Sequence, residues 1–141
     1  MAALDYFFTH TITRVGGHLL CNIIPISRKS ADFIAFSLCE RIIKAGSSII
    51  LYPEGTRTRD GEIGDFKSGI GILVKKAKVP ILPVYIQGTY ECLNYKRLLP
   101  RGGVIRVLFG EPIVFDERQL EDMNHREIAE RIRTTIISLI K

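Results

Sequence analysis

The pattern of apolar and polar positions predicts four helices along the chain. An uneven apolar face over residues 6–20 predicts a first helix, and apolar side chains at three-to-four spacing predict a second helix over residues 33–42 that stops at Gly46. Residues 66–78 predict a third helix, and residues 117–141 predict a final one with a stripe of isoleucines.

Short apolar runs between these helices predict strands. Residues 48–52 form a nearly continuous apolar run, which is typical of a strand buried on both faces. Residues 80–86 and 104–109 predict two more strands, and the two prolines of the former place part of it at an edge or an entry. Alternating helices and strands predict an α/β fold: a single layered domain over residues 1–141, with a largely parallel or mixed sheet flanked by helices.

Composition and charge limit the class of protein. With 46% apolar and 25% charged residues, the 141-residue chain is neither a disordered tail nor a low-complexity scaffold. Its apolar runs are far shorter than the roughly 20 residues of a membrane-spanning helix, so a soluble protein or one lying on a membrane surface is predicted. The net charge of +5 favours anionic partners without choosing between phosphate metabolites, lipid head groups and nucleic acid.

Cysteine and histidine spacing gives no sign of a metal site or a disulfide framework. The three cysteines include no Cys-x-x-Cys pair, and reduced thiols in a cytosolic core are the simplest expectation for them. The three histidines are far apart in sequence, and no metal is assigned. The residues concerned are Cys21, Cys39, Cys92, His10, His18 and His125.

The polar, glycine-rich stretch after residues 48–52 holds the candidate chemistry. It would leave the C-terminal end of a strand, where open α/β sheets place their ligands. Gly55 permits a backbone shape that a side chain would block, Thr56 adds a hydroxyl, and the Arg57 guanidinium suits two phosphate oxygens. Glu54 is an acceptor only and could orient Arg57 or a substrate hydroxyl. These residues predict a loop that binds a small phosphate ester.

The alternative for this stretch is a solvated ion pair between Glu54 and Arg57 on a surface loop, which would contribute little. The predicted strand before the loop and the basic residues Arg59 and Lys67 after it favour a site. Nucleotide and nucleic-acid binding are disfavoured. The glycines of residues 64–69 are spaced as in a P-loop but lack the following Lys-Ser/Thr, and the basic residues of the chain are scattered.

Leu-Tyr-Pro-Glu-Gly-Thr-Arg-Thr-Arg at residues 51–59 resembles the third sequence block of the glycerol-phosphate acyltransferase superfamily. Ile-Pro-Ile-Ser-Arg at 24–28 resembles the second block, and Phe-Lys-Ser-Gly at 66–69 resembles the Phe-Lys-x-Gly that follows the third. Residues 81–84 resemble the apolar fourth block, and Gly-Glu-Pro-Ile within 109–113 resembles a segment near the family's end. The resemblance covers about residues 4–115.

This resemblance implies an enzyme of the 1-acylglycerol-3-phosphate acyltransferase type, active in phospholipid biosynthesis. Such enzymes move a fatty acyl group from coenzyme A or acyl carrier protein to a glycerophosphate or lysophospholipid hydroxyl, with the acyl donor as co-substrate and no further cofactor. It also implies a cytoplasmic protein peripheral to the inner face of the membrane, with no nucleic-acid partner. By resemblance, the acceptor phosphate would be held by Arg28, Glu54, Gly55, Thr56, Arg57 and, more weakly, Lys67, while Pro83 would shape the neighbouring strand.

One departure from the family is important. The family's catalytic block is His, four residues, then Asp, but His10 is followed at that position by Val15 and His18 by Ile23. No catalytic residue is therefore assigned, the domain is expected to be N-terminally incomplete, and little acyl transfer is expected from these 141 residues alone. Truncation, a mis-called start and a real loss of the block all remain open. A non-catalytic module that binds anionic lipid or phosphate is the alternative function.

Overall fold

A computed structural model of the chain describes residues 2–3, 25–26, 33–94, 96–97 and 99–140. The helix predicted over 6–20, Cys21 and Arg28 lie outside these residues. Helices and strands alternate between residues 69 and 122, which confirms the α/β fold class. In chain order they are β1 (Ala2–Ala3), β2 (Pro25–Ile26), α1 (Phe33–Lys44), α2 (Gly69–Ala77), β3 (Val84–Gln87), α3 (Thr89–Cys92), β4 (Arg106–Phe109), α4 (Glu117–Asp122) and α5 (His125–Ser138).

The described strands form two pairs of opposite sense. β1 pairs with β2 in parallel, and β3 pairs with β4 antiparallel, with Val84 opposite Phe109. Ahead of β3, an antiparallel bridge between Ile81 and Ile113 extends the second pair, and the fully buried Pro83 lies between bridge and strand. Both faces of β4 are exposed. Parallel and antiparallel pairing thus both occur among the described strands, in two separate sheets of two strands each.

Helix α1 ends as its sequence predicts. Gly46 has a positive φ of 86° and donates its amide to the carbonyl of Ile43, while Ser47 donates to the carbonyl of Ile42. These two hydrogen bonds form a Schellman motif, which satisfies carbonyls that the helix leaves unpaired. The chain leaves α1 in a fixed direction toward the glycine-rich loop.

Helix α2 and helix α5 form the centre of the larger core. Helix α2 lies within the predicted residues 66–78, and its side chains Ile70, Leu73, Val74 and Ala77 are buried. α5 contributes Ile128 and Ile132, which are 0% and 1% exposed. The buried members of this core are Ile70, Val74, Ile113, Leu120, Ile128, Ala129, Ile132 and Ile136.

The prediction of one final helix over residues 117–141 is wrong. The chain forms α4 and then α5, separated by Met123 and Asn124 in extended conformation. Each helix has its own capping box: Asp116 with Gln119 for α4, and Asn124 with Glu127 for α5. A second box stops the first helix because its capping side chain takes the amides that would otherwise continue it. The isoleucine stripe of α5 packs in the core.

The prediction of a doubly buried strand over residues 48–52 is also wrong. The segment is assigned to no strand, and only one of its faces packs inward, through Ile49 and Leu51. Ile50 and Tyr52 point the other way and are 75% and 59% exposed. In an extended segment, successive side chains point to opposite faces, so this apolar run has one face that packs on the core and one that is exposed. An apolar run alone does not show how many of its faces are buried.

Two cysteines lie among the described residues. Cys39 and Cys92 are free thiols and both are buried, and burial raises the pKa of the Cys39 thiol. In the part of the chain that the structure describes, every helix is too short or too polar to cross a bilayer.

Candidate anion-binding site

Residues 53–67, which we call the anion loop, leave the core at Pro53 and return at Lys67. The Lys67 amide donates to the Pro53 carbonyl at 2.8 Å and closes the base of the loop. At its start, the Gly55 amide donates to the Tyr52 carbonyl at 3.2 Å, and Gly55 has a φ of 68°, a conformation that L side chains rarely adopt. A Cβ on Gly55 would lie 3.7 Å from Cγ of Lys67, so the two limbs of the loop meet there.

Glu54 ties the two limbs together further out. Its Oε2 accepts a hydrogen bond from the Gly64 amide at 2.9 Å, across ten residues of loop. A Cβ on Gly64 would come within 3.1 Å of the same oxygen, so a side chain there would push the carboxylate back by a few tenths of an ångström. Glu54 therefore has a backbone amide of the loop as a hydrogen-bond partner, which the sequence analysis did not predict.

The tip of the anion loop is a turn built on Asp60. Its Oδ1 accepts hydrogen bonds from the Thr58 hydroxyl at 2.9 Å and the Glu62 amide at 3.0 Å, while the Gly61 amide donates to the Thr58 hydroxyl. The bonds from the Glu62 amide and then the Thr58 hydroxyl hold the pKa of Asp60 below its usual value of 3.8. Because the folded-state pKa is depressed, this stabilisation is present near neutral pH and is lost as the pH falls through that lowered pKa.

Two side chains from distant elements anchor the loop, and sequence reasoning missed both. Tyr90 of α3 donates its hydroxyl to the Arg59 carbonyl at 2.8 Å, and its ring lies against Gly61. Arg133 of α5 donates from Nε to the Gly64 carbonyl at 2.9 Å and from a terminal nitrogen to the Ile63 carbonyl at 3.3 Å. These contacts join residues that are 31 and about 70 positions apart in the sequence, so no local motif predicts them.

The predicted site residues that the structure describes all lie on this loop. Gly55, Thr56, Arg57 and Lys67 are exposed, and Glu54 is half-buried. Gly55 meets the stem of Lys67, whereas Arg28 lies outside the described residues. Pro83, predicted to be structural, is buried in the core and accepts a hydrogen bond from the Gly110 amide at 2.9 Å.

The loop presents cations on a braced backbone. A guanidinium at Arg57 and an ammonium at Lys67 are both donors suited to phosphate oxygens, one as a planar fork and the other as a point charge. Among the described residues, no group of three or more His, Cys, Asp or Glu side chains is arranged to hold a metal ion.

Residues 53–67 lie in a part of the chain that is similar to known proteins. A family model described as acyltransferase matches residues 1–87, which is more than half of the chain. The chain belongs to the acyltransferase family. The match includes the whole anion loop and β3.

Similar proteins carry more specific names. The chain is 32% identical over 111 residues to a 1-acyl-sn-glycerol-3-phosphate acyltransferase of Cocos nucifera, covering 77% of this chain and 36% of that protein. It is 36% identical over 103 residues to a probable 1-acyl-sn-glycerol-3-phosphate acyltransferase of Mycoplasma pneumoniae, covering 67% and 39% respectively. The crystal structure of the 1-acyl-sn-glycerophosphate (LPA) acyltransferase PlsC from Thermotoga maritima matches with a TM-score of 0.64 and 26% identity, covering 76% of this chain and 45% of that one. The chain spans less than half the length of each of these proteins.

Replacing Glu54 separates its structural contribution from its charge. Glu54→Ala leaves the Gly64 amide without its acceptor, and we expect this to lower the free energy of unfolding by about 1–2 kcal/mol and to speed hydrogen exchange at Gly64. Glu54→Gln keeps an oxygen in place and is expected to lose less than half as much. Urea denaturation and amide exchange measured by NMR test this. Equal losses in the two variants would contradict the bracing role.

Proposed function

We propose that this acyltransferase chain binds the acceptor of a 1-acylglycerol-3-phosphate acyltransferase reaction, with the acceptor phosphate on the anion loop. Arg57 supplies the guanidinium fork, and Lys67 supplies a second positive charge from the opposite limb. Arg28, Glu54, Gly55 and Thr56 complete the proposed site by their match to the family motifs. The product would be a diacylated glycerophosphate for phospholipid synthesis.

The observation that carries this proposal is that two exposed cationic side chains, Arg57 and Lys67, lie on a loop whose backbone is fixed by hydrogen bonds. Hydrogen bonds at the base, across the middle and at the tip fix the backbone that carries Arg57. A preorganised site binds more tightly because less conformational entropy is lost on binding. A phosphate fixed here would in turn hold the neighbouring acceptor hydroxyl for attack on a thioester, which is a positioning contribution to catalysis.

The chemical step needs a general base that these residues do not supply in the family pattern. No His is followed five positions later by Asp in the printed sequence. We therefore propose that the 141 residues provide acceptor binding and show little acyl transfer by themselves. Coenzyme A and acyl carrier protein both remain candidate acyl donors. The lipid nature of these substrates supports contact with a membrane surface, and we propose that this is the cytoplasmic face.

Titration calorimetry with a short-chain lysophosphatidate and the monoacylglycerol of the same chain length tests the proposal. We expect the phosphorylated lipid to bind at least tenfold more tightly, and raising the salt concentration to reduce that difference. Labelled acyl-coenzyme A added to the same samples should give little diacylated product. Equal affinities for the two lipids would refute acceptor binding through phosphate, and robust turnover would show that another residue acts as the base.

The alternative function is a non-catalytic module for anionic lipid or phosphate, and the acyl donor distinguishes it from a transferase. A thioether analogue of acyl-coenzyme A cannot transfer its chain but retains the shape of the donor. An acyltransferase site is expected to bind this analogue in the presence of lysophosphatidate. A module would bind the lysophosphatidate alone.

A further inference from the structure

We infer that Arg133 of α5 is a positioning residue for the anion loop, an inference that rests on the proposed acceptor-binding function. Its guanidinium donates to two consecutive carbonyls of the loop, those of Ile63 and Gly64. A third nitrogen contacts the Glu130 carboxylate at 3.3 Å, one turn earlier on the same helix. The planar group is thereby held on one edge by its own helix and on the others by the loop.

The chemistry of arginine suits this contact. Carbonyl oxygens of a loop need donors, and a guanidinium offers five N–H donors in a fixed planar arrangement. Its side chain is only 23% exposed, so the hydrogen bonds are partly shielded from water, which would otherwise compete for them. A lysine would donate from one ammonium nitrogen only. It could not reach the two carbonyls from two separate nitrogens in one plane, as the guanidinium does.

Gly64 connects Arg133 with the proposed phosphate site. Its carbonyl accepts from Arg133, and its amide donates to Glu54. Glu54 directly precedes the Gly55-Thr56-Arg57 segment, so the path from α5 to the phosphate-binding fork crosses two hydrogen bonds and a short stretch of backbone. Fixing Gly64 from both sides therefore restricts where Arg57 lies.

The same limb of the loop is also fixed to α5 through packing. Lys67 lies two residues before α2, and α2 packs against α5 in the larger core. Helix α5 thus holds the returning limb at two points, through the Arg133 hydrogen bonds at Ile63 and Gly64 and through α2 beyond Lys67. Loss of Arg133 would release the first of these points while leaving the core intact.

We expect Arg133→Gln to weaken lysophosphatidate binding about tenfold, with Arg133→Lys intermediate between Gln and wild type. Hydrogen exchange at Gly64 and Gly55 should accelerate in Arg133→Gln, while amides within α2 remain protected. Arg126→Gln is the matched control, because it removes the same charge from the exposed N-terminal turn of the same helix. It should leave both affinity and loop exchange unchanged.

A double-mutant cycle with Arg57 separates positioning from general stability. If Arg133 acts through Arg57, then Arg57→Gln/Arg133→Gln will bind no more weakly than Arg57→Gln alone. An unchanged affinity in Arg133→Gln, a loss matched by Arg126→Gln, or additive losses in the cycle would each overturn the inference. If wild type itself fails to prefer lysophosphatidate over monoacylglycerol, the proposed function fails, and exchange at Gly64 still shows whether Arg133 fixes the loop.

Discussion

Arg57→Gln is expected to weaken lysophosphatidate binding by about 100-fold while leaving monoacylglycerol binding unchanged. The substitution removes a charged donor that can make two hydrogen bonds to one phosphate, and such a pair contributes about 3 kcal/mol. Glutamine retains a similar length and a polar end, so the exposed loop should fold as before. Titration of both lipids at fixed ionic strength measures the loss.

Arg59→Gln is the control for Arg57, since it removes the same charge from the same loop two residues away. The backbone carbonyl of Arg59, rather than its side chain, makes the hydrogen bond to Tyr90. If the loop attracted phosphate by charge alone, both variants would lose affinity about equally. A specific fork predicts a small loss for Arg59→Gln, and an Arg57→Gln variant with wild-type affinity would remove the basis of the proposed function.

Local patterns in the sequence predicted the elements that local forces determine. Gly46 ends α1 as predicted, because this ending depends on hydrogen bonds within a few residues. The motif at residues 51–59 could be compared with a known family because it is contiguous, and the family match over residues 1–87 includes it.

Long-range contacts account for what the sequence could not predict. The bracing of the anion loop by Arg133 and Tyr90 joins side chains to backbone carbonyls tens of residues away, and any carbonyl can accept such a bond. The hydrogen bond from the Gly64 amide to Glu54 likewise joins residues ten positions apart, and no pattern in the sequence predicts it. The prediction that residues 48–52 are buried on both faces failed for the same reason. Whether other elements pack on a face of this segment depends on residues far along the chain.

Gly71→Ala is expected to destabilise the fold by about 2 kcal/mol, against the usual preference of a helix for alanine. In an open helical position alanine is better than glycine by about 1 kcal/mol. Here an added Cβ would clash with the backbone of His125, the first residue of α5, including its carbonyl oxygen. Backbone atoms cannot rotate aside as a side chain can, so overpacking of about 3 kcal/mol outweighs the gain in propensity.

Gly102→Ala supplies the comparison, because a Cβ there would meet nothing within 4 Å. It should leave the urea midpoint unchanged or slightly raised. In Gly71→Ala the new methyl group would push α5 away from α2, and α5 carries Arg133. We therefore expect faster hydrogen exchange in the anion loop together with the loss of stability. Gly71→Ala with a wild-type urea midpoint would show that α5 can move away from α2 at no cost. If the midpoint falls while Gly64 exchange stays slow, the loop does not depend on that contact.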